Sequence, residues 1–337
     1  TQYLSKEVDI LRKRLYEKQG AEKVLGNSIQ IQKVLNQVNL IAPTNMSVII
    51  QGKSGTGKEV FADLIHQKSN RKNKPFIAVD CGAIPDTLVE SELFGYEKGA
   101  FTGADTNKKG KFELANEGTL LLDEISNLSV DGQSKLLRAI EQKSIQPVGG
   151  KNTIKVDVRI ISTTNLDLLK ETQKGYFRDD LYHRIDEFAI FLPELRERKD
   201  DIPILAKEFL HEANIDFNKK IEGFSKEAIN KLLDYHWSGN VRELKNVVKR
   251  AVLLTEINEI LPQSLYLDIN EKKPETEIQL PGILNDKTSY NEIINNLERK
   301  LIEKALEMCA GNKTKAAKTL KIDRKALYRK MSKLGLL

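Results

Sequence analysis

The feature that most constrains the fold is a glycine-rich segment at residues 52–59, whose sequence is Gly-Lys-Ser-Gly-Thr-Gly-Lys-Glu. It follows an apolar run at 47–50 and precedes a helical pattern at 60–65, so it is predicted to join a strand to a helix. Glycines let successive backbone N–H groups converge on phosphate oxygens at a helix N-terminus. A plain glycine-rich turn would fit the first half of the pattern, but the Gly57-Lys58 pair and both flanks favour a phosphate-binding loop. The residues predicted to bind nucleotide here are Gly52, Ser54, Gly55, Thr56, Gly57, Lys58 and Glu59.

The last position of this loop is unusual. Phosphate-binding loops generally end in Ser or Thr, whose hydroxyl binds magnesium, whereas this one ends in Glu59. A carboxylate elsewhere must therefore help to hold the ion. An apolar run beginning at residue 119 ends in Asp123 and Glu124, which is the Walker B pattern. We predict that Asp123 holds Mg²⁺ through water and that Glu124 polarises the attacking water, against the simpler alternative of a strand that ends in surface acids.

Further apolar runs at 76–81, 158–165 and 188–193 are separated by helical segments. This alternation predicts an α/β fold with a parallel sheet flanked by helices, and it places the ligand at the carboxyl ends of the strands. We interpret the run at 76–81 as a second buried strand.

Beyond these strands the pattern changes twice. From 203 to 260 it becomes wholly helical, with Ser225 and Asn240 as expected helix caps, which predicts a small helical lid. The segment at 271–288 is polar and contains Pro and Gly, which indicates a linker.

Positive charge is concentrated at the C-terminal end. Residues 312–333 hold nine Lys or Arg and one acid, giving +8, whereas the rest of the chain carries about −2 of the net +6. Two short helical patterns, at 312–320 and 324–331, predict a helix-turn-helix whose second helix enters a DNA major groove. A solvated basic helix is the simpler alternative. The residues predicted to bind DNA are Lys313, Lys315, Arg324, Lys325, Arg329 and Lys330.

Cysteine content and hydropathy narrow the class of protein. Cys81 and Cys309 lie far apart and form no Cys-x-x-Cys pair, which argues against a disulfide framework or a zinc site. No apolar stretch approaches membrane-spanning length. These features favour a cytoplasmic protein. Because the chain begins with Thr1, we expect that an upstream segment has been removed.

The first residues carry an apolar seam at helical spacing, formed by Leu4, Val8, Leu11 and Leu15. A short dimerising coiled coil and a plain packing helix both fit two heptads. The two alternatives remain open.

Three segments carry a resemblance to a known family. Residues 99–104 are Gly-Ala-Phe-Thr-Gly-Ala, residues 191–198 are Phe-Leu-Pro-Glu-Leu-Arg-Glu-Arg, and residues 237–244 are Trp-Ser-Gly-Asn-Val-Arg-Glu-Leu. From about Leu25 to Leu337 the chain resembles the sigma-54-dependent transcriptional activators, also called bacterial enhancer-binding proteins. Among AAA+ ATPases the hexapeptide is close to unique to that family. The C-terminus resembles the Fis-type DNA-binding domain, and Glu59 is what this family carries.

The resemblance implies roles for further residues. Arg178 and Arg184 match the arginine fingers that reach the nucleotide of a neighbouring subunit, where a guanidinium stabilises charge on the transferred phosphoryl group. Thr164 with Asn165 matches the first sensor, and Arg242 matches the sensor arginine of the lid. The residues implied to be catalytic are Glu124, Asn165, Arg178 and Arg184. Those implied to contact sigma-54 are Gly99, Ala100, Phe101, Thr102, Gly103 and Ala104.

Asp80 departs from the family pattern, because many relatives carry Asn there, bonded to the Walker B glutamate. An Asp would bring two carboxylates together, and like charges disfavour joint ionisation. We expect the coupling between nucleotide state and loop movement to be tuned differently in this chain.

The predicted organisation follows from these segments. It comprises a linker helix at 1–20, an AAA+ core at 21–196, a lid at 197–265, a linker at 266–284 and a Fis-type domain at 285–337. The implied function is an activator that binds upstream DNA and uses ATP hydrolysis in an oligomeric ring, from dimer to hexamer or heptamer, to remodel sigma-54 RNA polymerase and open the promoter. The implied cofactors are ATP and Mg²⁺, and a sensory or receiver domain is expected upstream.

Two other functions remain open from the residues. The first is an AAA+ machine that remodels another protein target, for which the hexapeptide would be accidental. The second is a DNA-binding regulator without ATPase activity or sigma-54 contact. The intact hexapeptide argues against the first, and the intact Lys58, Asp123 and Glu124 argue against the second.

Overall fold

The computed structural model describes residues 25–267 and, nearer the C-terminus, residues 298–299, 302–303, 305–306, 312–320 and 322–336. The chain divides into two compact units, Thr1–Leu267 and Asp268–Leu337, and each is described by itself. The predicted helix at 1–20 and most of the predicted linker at 266–284 lie outside the described residues. The predicted domain boundaries stay predictions.

The elements of the described residues are numbered in chain order. The helices are α1 (Ile29–Ile41), α2 (Lys58–Gln67), α3 (Val89–Phe94), α4 (Lys111–Leu114), α5 (Val130–Gln142), α6 (Leu168–Gln173), α7 (Asp179–Ile185), α8 (Asp201–Asp216), α9 (Lys226–Asp234), α10 (Asn240–Leu254), α11 (Lys313–Thr319) and α12 (Arg324–Lys333). The strands are β1 (Val48–Gln51), β2 (Phe76–Asp80), β3 (Gly95–Tyr96), β4 (Lys108–Lys109), β5 (Thr119–Asp123), β6 (Ser144–Ile145), β7 (Ile154–Lys155), β8 (Arg159–Thr164), β9 (Ala189–Phe191), β10 (Gly223–Phe224) and β11 (Glu259–Ile260).

One parallel sheet organises the first unit, with strand order β2-β5-β8-β1-β9. Alternate residues of the central strands enter two different apolar clusters. Ile50 and Ile161 pack with α1 and α2, whereas Ile49 and Ile160 pack with the cluster around α5. Since both faces are covered, these strands are apolar throughout. The predicted parallel sheet flanked by helices is confirmed.

Strand β2 corrects one expectation, because the run at 76–81 is not a buried strand. It lies at the edge of the sheet, with Val79 buried but Ala78 and Asp80 exposed. An edge strand has a neighbour on one side only, and the apolar composition of a short run does not distinguish an edge from the centre.

The helices α8, α9 and α10 enclose their own apolar cluster around the fully buried Trp237, whose indole N–H donates to Leu232 O at 2.8 Å. The predicted cap at Ser225 is confirmed, since its side chain accepts from Ala228 N. Asn240 is instead the first residue of α10, after Gly239 at the cap position. The segment is also not wholly helical, because β10 and β11 form a two-residue parallel pair.

In the second unit, α11 and α12 are two short helices with polar caps. Asn312 accepts from Thr314 N and Lys315 N, and Asp323 accepts from Ala326 N. A small cluster that includes Ala316, Leu327 and Met331 lies between them. This is the predicted helix-turn-helix. Leu306, which precedes both helices in the chain, also packs against this cluster.

Candidate nucleotide site and interaction surfaces

The glycine-rich loop joins β1 to α2, as expected. Gly55 and Gly57 have φ of +77° and +104°, which L side chains rarely adopt. A Cβ at Gly57 would meet no atom within 4 Å, so the loop faces open space. Lys58 follows directly and is only 7% exposed, and its Nζ donates to Gly52 O at 3.0 Å. The loop thus holds a shielded cation at the start of a helix, where an anion is favoured.

The carboxylates at the end of β5 lie at this same edge of the sheet. Glu124 Oε1 is 3.0 Å from Lys58 Nζ, and its Oε2 accepts from Asn165 N at 3.1 Å. Asp123 accepts from the Thr163 hydroxyl, which itself accepts from Glu124 N at 3.0 Å. Parallel pairing of β5 with β8 brings these residues together, because both strands end at one edge. Thr163 was not among the site residues predicted from the sequence.

The two residues matched to the first sensor make different contacts. Asn165 is exposed and its backbone N–H binds Glu124, whereas Thr164 is buried and its hydroxyl donates to Ser126 Oγ at 3.3 Å. Asn165 is therefore the member that contacts the carboxylate, through its backbone.

Asp80 binds its own turn, since its Oδ1 accepts from Gly82 N at 2.9 Å and from Ala83 N at 3.3 Å. The negative charge of Asp80 still affects the neighbouring Cys81 thiol. Burial, together with the negative charges of Asp80, Asp123 and Glu124, raises the pKa of the Cys81 thiol to about 12. The thiol therefore stays protonated between clustered carboxylates.

The first turn of α10 docks on the phosphate loop. Val241 N donates to Gly55 O at 2.9 Å, and Asn240 Nδ2 donates to Ser54 O at 3.0 Å. Arg242 Nη1 donates to Ser54 Oγ at 3.3 Å. A Cβ at Gly55 would lie 2.3 Å from Gly239 O, so only glycine permits this approach. The structure thus brings the predicted lid arginine to the predicted nucleotide loop.

Arg198 is a contact that the sequence analysis missed. It is 2% exposed, and its two terminal nitrogens donate to Leu25 O at 3.3 Å and Thr56 O at 3.0 Å. Burial lowers the pKa of this guanidinium, while the charge of Asp201 opposes that shift. Arg198 joins the segment before α1 to the phosphate loop. Its presence in the 191–198 signature was the available signal.

The hexapeptide forms a surface loop between β3 and β4. Gly99 N donates to Ala104 O at 2.9 Å and closes the loop, while Phe101 is 43% exposed and packs edge to face on Tyr96, with ring centroids 4.9 Å apart. Thr102 and Gly103 are exposed, but Ala104 is buried. A contact surface in this conformation therefore consists of the residues before Ala104.

The two arginines matched to fingers lie on or next to α7. Arg178 binds Asp180, with Nη2 and Oδ2 2.7 Å apart, and this hydrogen bond raises the pKa of Arg178. Arg184 binds Glu187, with Nη1 and Oε1 3.1 Å apart. Both side chains are more than a third exposed, and within the described residues their ion pairs are with these nearby acids. The structure does not bring them to Lys58 of the same chain.

In the second unit most predicted DNA-binding residues are exposed, including Lys315, Arg324, Lys325 and Arg329. Lys330 is paired with Glu298. Tyr328 was not predicted to take part, yet its ring lies 5.1 Å from Lys313 Nζ and 5.6 Å from Arg324 Cζ. These cation–π contacts join the two helices and place their cations together.

Comparisons with known proteins agree with this geometry. Residues 24–191 match the Sigma-54 interaction domain, 196–280 match the AAA+ ATPase lid domain, and 293–334 match the bacterial regulatory protein Fis family. The transcriptional regulatory protein ZraR of Salmonella typhimurium is 42% identical over 310 residues, which cover 92% of this chain and 68% of ZraR. The regulatory protein AtoC of Escherichia coli is 40% identical over 336 residues, covering 99% of this chain and 72% of AtoC. The crystal structure of NtrX from Brucella abortus in complex with ADP has a TM-score of 0.70 at 30% identity, and covers 98% of this chain and 73% of that chain.

The matched lid and the sheet that carries the phosphate loop define an ATP-binding protein of the AAA+ class. The extent of the similarity to ZraR and AtoC, with the matched sigma-54 and Fis models, goes further. The chain belongs to the sigma-54-dependent transcriptional activators. The predicted family, fold class and activator function are confirmed. No helix among the described residues is long and apolar enough to cross a membrane.

Proposed function

We propose that this activator hydrolyses ATP and transmits the resulting movement to sigma-54 RNA polymerase, which opens the promoter. The observation that carries the proposal is the 3.0 Å contact between Lys58 Nζ and Glu124 Oε1. It joins the phosphate loop and the predicted catalytic carboxylate at one edge of the sheet.

Lys58 and Glu124 each have a defined part in this proposal. The opposite charges of Lys58 and Glu124 neutralise each other in a site that is mostly shielded from water. ATP phosphates would compete for Lys58, because they carry more negative charge than one carboxylate. Glu124, still bound by Asn165 N, is then free to orient the attacking water.

Magnesium fits the donor set. Within the described residues, groups of three or more His, Cys, Asp or Glu suited to a metal are absent. Mg²⁺ with a nucleotide needs only one or two protein carboxylates, since phosphates and water complete its shell. Asp123, bound by the Thr163 hydroxyl, is the residue we assign to it. When bound, the ion neutralises charge on the phosphates.

Arg178 and Arg184 are assigned to the site of a neighbouring subunit in a ring. The exposure of both side chains supports an action in trans. The same ring would present the hexapeptide loop to sigma-54, with Phe101 and Thr102 as contacts. Arg242 and Ser54 would report the nucleotide state to the lid.

The second unit is proposed to anchor the protein at upstream DNA through its exposed cations. This unit would tether the protein to DNA, because a net charge of +8 is concentrated within residues 312–333. We further propose a cytoplasmic location.

Two substitutions test the enzymatic part of this proposal. Lys58→Ala should lose ATP binding, because the loop loses the cation that meets the phosphates. Glu124→Gln should bind ATP normally yet hydrolyse it at least a hundredfold more slowly, in line with the usual contribution of a general base. Equilibrium binding of a fluorescent ATP analogue and phosphate release measure the two properties. Normal turnover by Glu124→Gln would exclude the assignment.

A further inference from the structure

Glu187 connects the predicted finger Arg184 to the central sheet. It lies in the turn between α7 and β9, and each of its carboxylate oxygens has a separate partner. Oε1 is 3.1 Å from Arg184 Nη1, and Oε2 accepts from Ser47 N at 2.6 Å. Ser47 is buried and directly precedes β1.

The anchor at Ser47 fixes this carboxylate to a rigid part of the fold. Strand β1 lies between β8 and β9, and Ile49 N donates to Phe188 O at 2.9 Å next to Glu187. The other end of β1 leads into the phosphate loop at Gly52. The position of the Arg184 guanidinium is therefore set by the strand that also positions the nucleotide loop.

Arg178 is held differently. Its partner Asp180 lies two residues away, and Asp180 Oδ1 accepts from Leu181 N, within the same short helix. That pair is local to α7. Of the two predicted fingers, only Arg184 is tied through its carboxylate partner to the central sheet.

The bond to Glu187 leaves part of Arg184 available. Within the described residues, the Arg184 side chain donates to Glu187 through Nη1, and it is 38% exposed. A cavity of about 380 Å³ lies beside the pair, lined in part by Arg184, Glu187 and Ser47. The Nε and Nη2 groups can therefore meet an anion while Nη1 stays bound.

We propose that Glu187 is a positioning residue that orients Arg184 for the ATP site of the neighbouring subunit. This inference rests on the proposed role of Arg184. An arginine carries large rotamer entropy, and a guanidinium that is already oriented loses less of it on reaching phosphate. Glu187 supplies this orientation and does not itself touch substrate.

The first experiment compares three variants of the full chain under conditions of saturating subunit concentration. Glu187→Ala should lower kcat for ATP roughly three- to tenfold, the usual effect of ordering one long side chain, with KM changed less than about twofold. Glu187→Gln should stay close to Glu187→Ala in kcat, because its single amide oxygen cannot accept from both Ser47 N and Arg184 Nη1. The matched control is Asp179→Asn on the preceding helix α7, where Asp179 Oδ1 lies 3.5 Å from His183 Nε2, and it should keep the original kcat. Equal kcat for Glu187→Ala and the control would overturn the inference.

Two further measurements separate positioning from a general structural role. The double variant Arg184→Ala/Glu187→Ala should be no slower than Arg184→Ala, because Glu187 acts only through that arginine. A mixture of Glu187→Ala and Glu124→Gln subunits should hydrolyse more ATP than the sum of the two variants assayed alone. In mixed rings, a Glu124→Gln subunit supplies an intact Arg184–Glu187 pair to a Glu187→Ala subunit, whose own Glu124 is intact. A further loss in the double variant, or no gain on mixing, would contradict the inference. Normal hydrolysis by Arg184→Ala would instead refute the finger role itself, so the two failures are distinguishable.

Discussion

Several cations of the first unit are buried and bind backbone carbonyl groups. Lys58 binds Gly52 O, Arg198 binds Leu25 O and Thr56 O, and Arg159 binds Ala42 O at 2.7 Å and Ile41 O at 2.9 Å. Burying a charge is costly unless hydrogen bonds compensate it, and these carbonyls supply the compensation, while Arg198 Nε has no hydrogen-bond partner among the described residues. Residue types alone do not reveal which carbonyls lie near, so Arg198 and Arg159 were not predictable as structural groups. The position of Lys58 was predictable, because its motif fixes its place in the loop.

The first prediction at this scale concerns Arg159, which is 1% exposed and binds the end of α1. Arg159→Met should lower the free energy of unfolding by about 2 kcal/mol, because the carbonyls of Ile41 and Ala42 lose charged donors while remaining buried. Urea unfolding followed by circular dichroism measures the change. Lys72→Met, at an exposed position, is the control and should shift the result by less than about 0.5 kcal/mol. An unchanged midpoint for Arg159→Met would show that those carbonyls are satisfied otherwise.

At the scale of elements, the sequence predicted the strands of the sheet and the loop between β1 and α2 because apolar runs and glycine spacing are local signals. Properties that depend on contacts between elements were harder to predict from the sequence. The edge position of β2 follows from strand order, and the bond between Thr163 and Asp123 follows from the pairing of β8 with β5. Asn240 was expected only as a cap. Its side chain instead joins Leu195 N to Ser54 O, which no local pattern encodes.

The hexapeptide loop illustrates the same limit. Its glycines predict an exposed turn, and Gly99 and Gly103 do have positive φ. The close approach of Gly149 to Ala100 was not predictable, because it joins segments that are distant in sequence. The base of the loop is therefore supported by a second turn, between β6 and β7.

At the scale of the whole molecule, the AAA+ ATPase and the positively charged segment at 312–333 belong to separate compact units. Each unit has its own apolar cluster, and the charge of the second is concentrated in α11 and α12. If the second unit only tethers the protein to DNA, DNA binding and ATP hydrolysis must be separable.

Truncation tests that separation. Removing the residues after 280 should abolish binding to an upstream site in a gel-shift titration, because the concentrated positive charge is lost, and should leave ATP hydrolysis at saturating subunit concentration within about twofold. For the full chain, affinity should fall steeply as salt rises, since each neutralised phosphate releases counterions. Equal affinity of the truncated and full-length chains would show that the DNA-binding surface lies elsewhere.

The central claim is that ATP hydrolysis is transmitted to sigma-54 through the loop at 99–104. Thr102 is exposed at the tip of that loop and lies outside the nucleotide site, so Thr102→Ala removes a contact and leaves Lys58 and Glu124 in place. Open-complex formation in reconstituted transcription with sigma-54 RNA polymerase, measured beside ATP turnover of the same preparation, is the most direct test. We expect turnover within about twofold of the original chain and open complexes reduced at least tenfold. Full open-complex formation by Thr102→Ala, or loss of both activities together, would contradict the claim.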